Sequence, residues 1–318
     1  MTDVICMGQL VLDCLVRNVR ENGKVRRSAT ADEISLHVGG DALNEALIAT
    51  RLGLKAAVAG FVGDDFAGKI ILQQLQDAGV DISRITVDRQ LASVVANIRI
   101  NEDGSRSSVN SPAVRLNGRT VSPEVISQCR AVSFASCFRA PLDDAQNNYR
   151  IAQAARKTGA YVLCDSKVPL YEIAPVEEFR EFFSLVDYFF PNETEAGYYS
   201  GVSLNAHSPE EDFRRAAAFF LDMGVKNVII KAGSRGCYFR NREEEYLLAA
   251  LPAEVIDTTG AGDSFVAGFL NALLEGKNNR ECCLYGLACA SLAVGSQGAS
   301  SGVRSRAEVE EVFDRYCR

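Results

Sequence analysis

Asp257-Thr258-Thr259-Gly260-Ala261-Gly262-Asp263-Ser264, followed by the apolar run Phe265 to Leu274, organises the reading of this chain. Gly260, Ala261 and Gly262 carry almost no side chain, so the backbone can turn tightly and bring its N–H groups against a bulky ligand. Apolar residues then recur at helical spacing: Phe265, Val266, Phe269, Leu270, Leu273 and Leu274. A small-residue turn that opens a buried helix leaves unpaired N–H groups and a positive dipole end, which together favour an anion. Asp263 inside that turn would weaken anion binding unless it had a task of its own. Taking a proton from a hydroxyl that attacks a phosphoryl group is such a task. For an isolated Gly-Ala-Gly-Asp, a helix cap with small packing residues would be the better reading.

The longer string resembles the C-terminal signature of the ribokinase-like (PfkB-type) carbohydrate kinases, Asp-Thr-Thr/Val-Gly-Ala-Gly-Asp, and matches it throughout. The resemblance implies that Asp263 is the catalytic base and that the amides of Gly260, Ala261 and Gly262 receive the transferred phosphoryl group.

Two stretches in the N-terminal part bear on the acceptor. Val4 to Gly8 reads as a short buried strand, with Asp13 at its exit. In an open α/β sheet, ligands bind beyond the carboxyl ends of strands. Asp13 could be a plain turn residue, but the family carries an Asp here that binds substrate hydroxyls. After the alternating strand Ile34 to Val38 comes Gly39-Gly40-Asp41-Ala42-Leu43-Asn44-Glu45-Ala46, leading into a helix that ends near Leu52-Gly53. Paired glycines allow close approach of a ligand, and Asn44 offers a donor and an acceptor. The string resembles the family's Gly-Gly-x-x-x-Asn-x-Ala signature, which assigns Gly39, Gly40 and Asn44 to the sugar. His37 reads as a strand residue. Gly63 to Ile70 imitates a P-loop in spacing, but Ile70 stands where Ser or Thr would hold magnesium, and Asp64 and Asp65 would repel phosphate. It reads as a turn between the strand Ala56–Val62 and a helix Ala67–Ala78.

Ser93 to Ile100 and Ser105 to Asn110 flank Asn101-Glu102-Asp103-Gly104, a hairpin pattern turning at Asp-Gly. With strands near 14–17 and 34–38 it would build a small second sheet, which the resemblance makes a lid over the sugar. Asn97 and Arg99 share one face of their strand. They face solvent by default, and substrate contact is the other reading. From Arg130 onward strands and helices alternate, with a strand Ala131–Ala135, a helix Asp143–Thr158, and strands Tyr161–Cys164 and Val186–Phe190. This is the rhythm of a parallel sheet covered on both faces.

Several residues depart from the family pattern. Arg139 lies where ribokinases carry an acid that contacts ribose, and Lys167 stands where many relatives carry Asn in Asp-x-Asn. Two cations there suit an acidic or phosphorylated sugar, or simply pair with local acids. Asn192 and Glu195, three apart, fit an ordinary capping box. The family's Asn-x-x-Glu motif instead implies that Asn192 lies at ATP and that Glu195 holds Mg²⁺ through water. Lys231 precedes Gly233 and Gly236, which match the family's Gly-x-x-Gly hairpin on the ATP side; Thr is frequent at the position of Lys231. Gly298 lies in the loop that lines the adenine pocket in relatives. Asp257 and Thr259 match positions that hold a monovalent cation there, which leaves activation by K⁺ open.

Composition narrows the class. The 318 residues are 47% hydrophobic and 24% charged, ordinary globular values that fit one large α/β domain. A net charge of −7 argues against a nucleic-acid or membrane-surface binder. No apolar run is long enough to span a bilayer, and the N-terminus lacks a signal-peptide pattern. The ten cysteines lie mostly in apolar segments without C-x-x-C pairs, which reads as buried thiols in a cytoplasmic protein.

The resemblance covers essentially the whole chain. It implies a ribokinase-like three-layer α/β/α fold with a mainly parallel central sheet and a small β lid, as a single domain over 1–318. The lid would come from about 12–38 and 92–112, and the nucleotide-binding half from about 185–318. The implied activity is ATP- and Mg²⁺-dependent phosphorylation of a small carbohydrate, with a homodimer through the lid by analogy. A kinase of a sugar acid, sugar phosphate or nucleoside is the alternative on the same fold; a silent sugar- or nucleotide-binding regulator is the alternative without catalysis.

Overall fold

Apolar runs that lack alternation become strands buried on both faces. The computed structural model describes residues 2–21, 29–101, 106–205 and 207–317. Its strands are β1 (Val4–Met7), β2 (Val11–Arg17), β3 (Arg20–Glu21), β4 (Ala29–Thr30), β5 (Glu33–Gly39), β6 (Ala56–Gly63), β7 (Asp81–Asp88) and β8 (Val94–Ile100). They continue with β9 (Arg106–Asn110), β10 (Ala131–Cys137), β11 (Tyr161–Ser166), β12 (Tyr188–Phe189), β13 (Asn227–Lys231), β14 (Cys237–Arg240) and β15 (Glu245–Leu248). The helices are α1 (Asp41–Arg51), α2 (Phe66–Asp77), α3 (Ala145–Lys157), α4 (Arg180–Phe183), α5 (Glu193–Ser200), α6 (Glu210–Asp222), α7 (Ala261–Leu274), α8 (Asn279–Val294) and α9 (Arg306–Cys317).

A nine-stranded sheet runs in the order β15-β14-β13-β12-β11-β10-β1-β6-β7, parallel except at β14, which is antiparallel to both neighbours. Alternate side chains of one strand enter different cores. Val4 and Cys6 of β1 join α1, α2, α7, α8 and α9 on one face, while Ile5 and Met7 join α3, α5 and α6 on the other. Every residue of β1 and β10 is buried in consequence. Helix α7 is buried from Asp263 to Leu274, so its apolar residues cover all sides rather than one stripe.

A second sheet, β5-β2-β8-β9, stands apart from the first. Strand β2 pairs antiparallel with β5 and parallel with β8, and β8 pairs antiparallel with β9. Its outer side leaves Ile34, Leu36 and Val109 exposed. The fold is therefore the three-layer α/β/α arrangement with a small second sheet that the resemblance implies. The Asp-Gly turn expected between β8 and β9 lies at 102–105, outside the described residues.

Local boundaries shift for identifiable reasons. Asp144 caps α3 through the Asn147 N–H (2.7 Å), so that helix begins two residues after the expected Asp143. Asn278 and Glu281 form a reciprocal capping box that starts α8 at Asn279. The P-loop look-alike is a helix entry. Asp65 accepts the N–H groups of Gly68 and Ser93 and the Ser93 hydroxyl, each at 2.8 Å, which leaves no anion site there. Among the described residues no helix is long and apolar enough to cross a membrane. The nine cysteines described are free, and all but Cys14 are buried.

Candidate active site

The first turn of α7 is set by one backbone conformation. Gly260, the N-cap, has φ 71° and ψ 3°, the left-handed region. A Cβ there would stand 1.8 Å from the Ala299 carbonyl oxygen, so the turn and the loop after α8 are in direct backbone contact. The Asp257 carboxylate ties the same two segments together, accepting the N–H groups of Thr259 (2.6 Å) and Gly298 (3.0 Å). Gly298 thus supports the site from behind, while its neighbour Ala299 reaches the cavity.

Asp263 is 5% exposed, in the first turn of α7. Its Oδ2 accepts the Asn44 Nδ2–H at 2.7 Å, joining residues 219 positions apart. The other amide atom of Asn44, Oδ1, is buried and has no partner. Burial, then the Asp41 carboxylate, pushes Asp263 up to about 6. The same two causes raise Asp13 to about 6. Asp13 on β2 packs onto Gly39, where a Cβ would lie 2.0 Å from its Oδ2; Gly40, with φ 93°, caps α1. Gly39 is therefore needed beside that carboxylate, and Gly40 where a Cβ would stand 2.4 Å from the Gln9 carbonyl oxygen.

Two lysines stand among the acids. Lys167 lies 3.4 Å from Asp41, and that carboxylate holds its ammonium charged, above the usual range, against the cost of burial. Lys231, at the end of β13, pairs with the fully buried Asp165 at 2.5 Å. Burial pulls the Lys231 ammonium down, but Asp165 and Glu195 more than offset it. Its Nζ sits 3.3 Å from the Cβ position of Gly262, against the first turn of α7. Burial also raises Asp165, to about 6.

Two adjoining cavities open here. The larger, about 900 Å³, is lined by Asn44, Asn192, Lys231, Gly233, Gly236, Thr259, the 260–263 turn and the apolar group Leu251, Pro252, Leu287 and Val294. The smaller, about 380 Å³, is lined by Gln9, Ala96, Ile98, Asn110, Ser136 and Arg139 among others. Asp13, Gly40, Asp41 and Lys167 line both. The pair fits a nucleotide-sized ligand beside a small acceptor.

Most sequence-derived candidates converge on this place, but not all. Asn97 and Arg99 do not reach it. Ala96 and Ile98 of β8 face the smaller cavity, so strand alternation turns Asn97 and Arg99 the other way. Substrate contact, the alternative reading for them, is corrected on that ground, and the default of facing away from the cavity stands. Glu195 stands behind Asn192 in a full capping box, its Oε2 accepting the Asn192 N–H at 2.8 Å while Asn192 Oδ1 accepts the Glu195 N–H at 2.9 Å. Asp41, Asp165, Gln9 and Ser136 are the residues that sequence reasoning missed. Asp41 looks like an ordinary acid in a first helical turn, and Asp165 like an ordinary strand end; only their pairing with lysines marks them out.

An open α/β sheet with a buried acid in the first turn of a helix that opens on small residues, facing a double cavity, is suited to phosphoryl transfer to a small molecule. The family described as pfkB family carbohydrate kinase matches residues 1–306, and the chain belongs to it. It is a carbohydrate kinase. A ribokinase of Haemophilus influenzae is 30% identical over 295 residues, 92% of each chain. A 5-dehydro-2-deoxygluconokinase of Geobacillus thermodenitrificans is 24% identical, over 97% of this chain and 92% of that one. The structure of Arabidopsis thaliana ribokinase complexed with ribose and ATP superposes with a TM-score of 0.83 at 26% identity, over 98% of this chain and 99% of that one.

Proposed function

We propose that the chain transfers the γ-phosphoryl group of ATP to a hydroxyl of a small carbohydrate held between Asp13, Gly39, Gly40 and Asn44. The observation that carries this reading is the Asn44–Asp263 pair. One amide atom orients the base at 2.7 Å, and the other is a buried acceptor without a partner, suited to the proton of a second, non-reacting hydroxyl of the acceptor. The reacting hydroxyl, beside that one, meets Asp263, which takes its proton as the oxygen attacks phosphorus. The N–H groups of the 260–262 turn and the Lys231 ammonium beside them receive the charge on the transferred group. The adenine lies against Leu251, Pro252, Leu287 and Val294, with Gly233 and Gly236 giving the hairpin close approach. The second sheet serves as a lid that excludes water.

The donor set fits Mg²⁺. Among the described residues no three His, Cys, Asp or Glu side chains form a cage for a metal. Magnesium usually keeps several waters and needs only one or two carboxylates with substrate phosphates; Glu195, buried behind Asn192 and outside both cavities, would act on it only through water. Bound there, the ion neutralises charge on the ATP phosphates. The test is Asp263→Asn. Turnover is expected to fall by about 10²–10⁴ while calorimetric binding of ATP and acceptor persists. Unchanged turnover removes Asp263 from the mechanism.

A further inference from the structure

Arg139 lines the smaller cavity and not the larger, whereas Asp263 lines the larger and not the smaller. Asp13, Gly40, Asp41 and Lys167, common to both, form the junction. An acceptor that presents a hydroxyl to Asp263 across this junction extends its other end toward Arg139.

That end is built of donors. Arg139 Nε and Nη2 both donate to the Val168 carbonyl, at 2.9 and 2.8 Å. The clamp fixes the guanidinium plane and leaves Nη1 without a partner among the described residues. Arg139 also has no ion pair among them, in contrast to Lys167, whose charge is met by Asp41. A second observation points to the same place. Ser136, 2% exposed, lines this cavity, and its Oγ has no partner. The turn between them is held against backbone preference. Phe138 has φ 73°, rare for a bulky residue, and is fixed by a stack on Tyr199 (4.2 Å) and contact with Phe179 (4.6 Å). Such conformations persist where the surroundings over-determine them, and they cluster at ligand sites.

We propose that the acceptor carries an anionic group, a carboxylate or a phosphate monoester, bound by Arg139 and Ser136 at the end opposite the hydroxyl that is phosphorylated. This rests on the kinase reading above and narrows its substrate class. A planar guanidinium with a free edge matches an oxyanion better than a hydroxyl, and its hydrogen bonds to a charged acceptor are the stronger kind. The acids at the junction, Asp13 and Asp41, set the polarity: hydroxyls bind there, and the anion is tolerated only at the Arg139 end.

The test pairs each neutral acceptor with its anionic counterpart: aldoses with their aldonic and 2-keto acids, and pentoses and ketohexoses with their monophosphates. Turnover with Mg·ATP and calorimetric binding are both read, for wild type, Arg139→Leu and Arg139→Lys. The expected result is preference for an anionic member, with KM raised about tenfold to hundredfold in Arg139→Leu, kcat changed far less, and partial recovery in Arg139→Lys. Retained ATP binding by each variant shows that it is folded. The carboxylate and phosphate arms identify which anion is read. Preference for a neutral sugar, with KM unmoved by Arg139→Leu, overturns the proposal and leaves the kinase reading intact. Arg139-dependent binding of an anionic member without turnover supports the proposal and sinks the catalytic reading instead. If no anionic member binds better than its neutral partner, the proposal is wrong.

Discussion

Replacing Gly260 by alanine probes the turn on which the transfer site depends, and the fold supplies its own control. Gly260 has φ 71° and ψ 3°; Gly201, at the end of α5, has φ 71° and ψ 5°. Alanine at either position carries the same left-handed backbone penalty, about 1–2 kcal/mol. The surroundings differ. A Cβ on Gly201 would meet nothing within 4 Å, whereas on Gly260 it would stand 1.8 Å from the Ala299 carbonyl oxygen. Real Cβ contacts stay above 3.0 Å, so the turn and the loop must separate by at least 3.0 − 1.8 = 1.2 Å. The three amides and Asp263 move with that turn, and a displacement of about 1 Å in a positioned site costs about 100-fold in rate.

Gly201→Ala is therefore expected to lose only the backbone penalty in a thermal melt, with kcat unchanged in a coupled ADP-release assay. Gly260→Ala is expected to lose a further 1–3 kcal/mol or so for overpacking, and about 100-fold in kcat. A Gly260→Ala enzyme with the Tm and kcat of Gly201→Ala would show that the Ala299 carbonyl does not fix the turn. The reasoning from that contact would then fail.

Four further outcomes are expected. Because burial raises Asp263 to about 6, turnover declines as pH falls through that value and the base gains a proton. The stability effect has the opposite sense: a carboxyl raised above its unfolded value favours the fold at low pH and loses that contribution as pH rises through about 6, so Asp263→Asn melts above wild type at about pH 8 and level with it near pH 4. Lys231→Met strands the buried Asp165 and costs about 3–5 kcal/mol in a denaturant melt; adding Asp165→Asn recovers most of this, and failure to recover would refute the pairing. Asp65→Ala, which removes the α2 cap, costs about 1 kcal/mol, while Lys69→Ala leaves the KM for ATP unchanged; a raised KM would revive the P-loop reading. Exchanging KCl for choline chloride leaves kcat/KM unchanged, since Arg51 already donates to the Ser300 and Val303 carbonyls and Asp257 already binds the Gly298 N–H; a marked loss would place an exchangeable cation at Asp257 and Thr259.

The layers and the two signature turns were legible in the sequence because each is a local pattern. An apolar run such as Val4–Met7 can only be a doubly covered strand in this context, and Gly260-Ala261-Gly262 before an apolar helix admits few backbone paths. Strand β7 escaped notice because it is an edge strand, Asp81–Asp88, with half-exposed residues and no clean alternation. The two readings of Asn97 and Arg99, solvent-facing or on the substrate, turned on a parity that sequence leaves free. Alternation shows that two residues share a face, but only the neighbouring strands and the cavity fix which face that is. Glu195 shows a different limit. Asn-x-x-Glu is both a capping box and a family motif, and the fold uses it as the former without precluding the latter.

The electrostatics of the transfer point could not be read from local pattern at all, because they arise where two helix starts meet. Helix α1 brings Asp41 and Asn44, and α7 brings Asp263; each acid lies in a first turn. There the helix dipole stabilises a carboxylate, by about 0.3–1 kcal/mol in the usual exposed case. If that effect governed, Asp263 would be a weak base. Yet its value moves from 3.8 up to about 6, against the direction in which the dipole acts. Burial and the facing Asp41 outweigh the dipole, with Lys167 limiting the rise. The outcome is a carboxylate that is ionised at neutral pH yet basic enough for the proton transfer proposed above. The same residue in an exposed Gly-Ala-Gly-Asp turn would be only a cap. Here burial and Asp41 set its basicity, while Asn44, 219 positions away, holds its carboxylate in place.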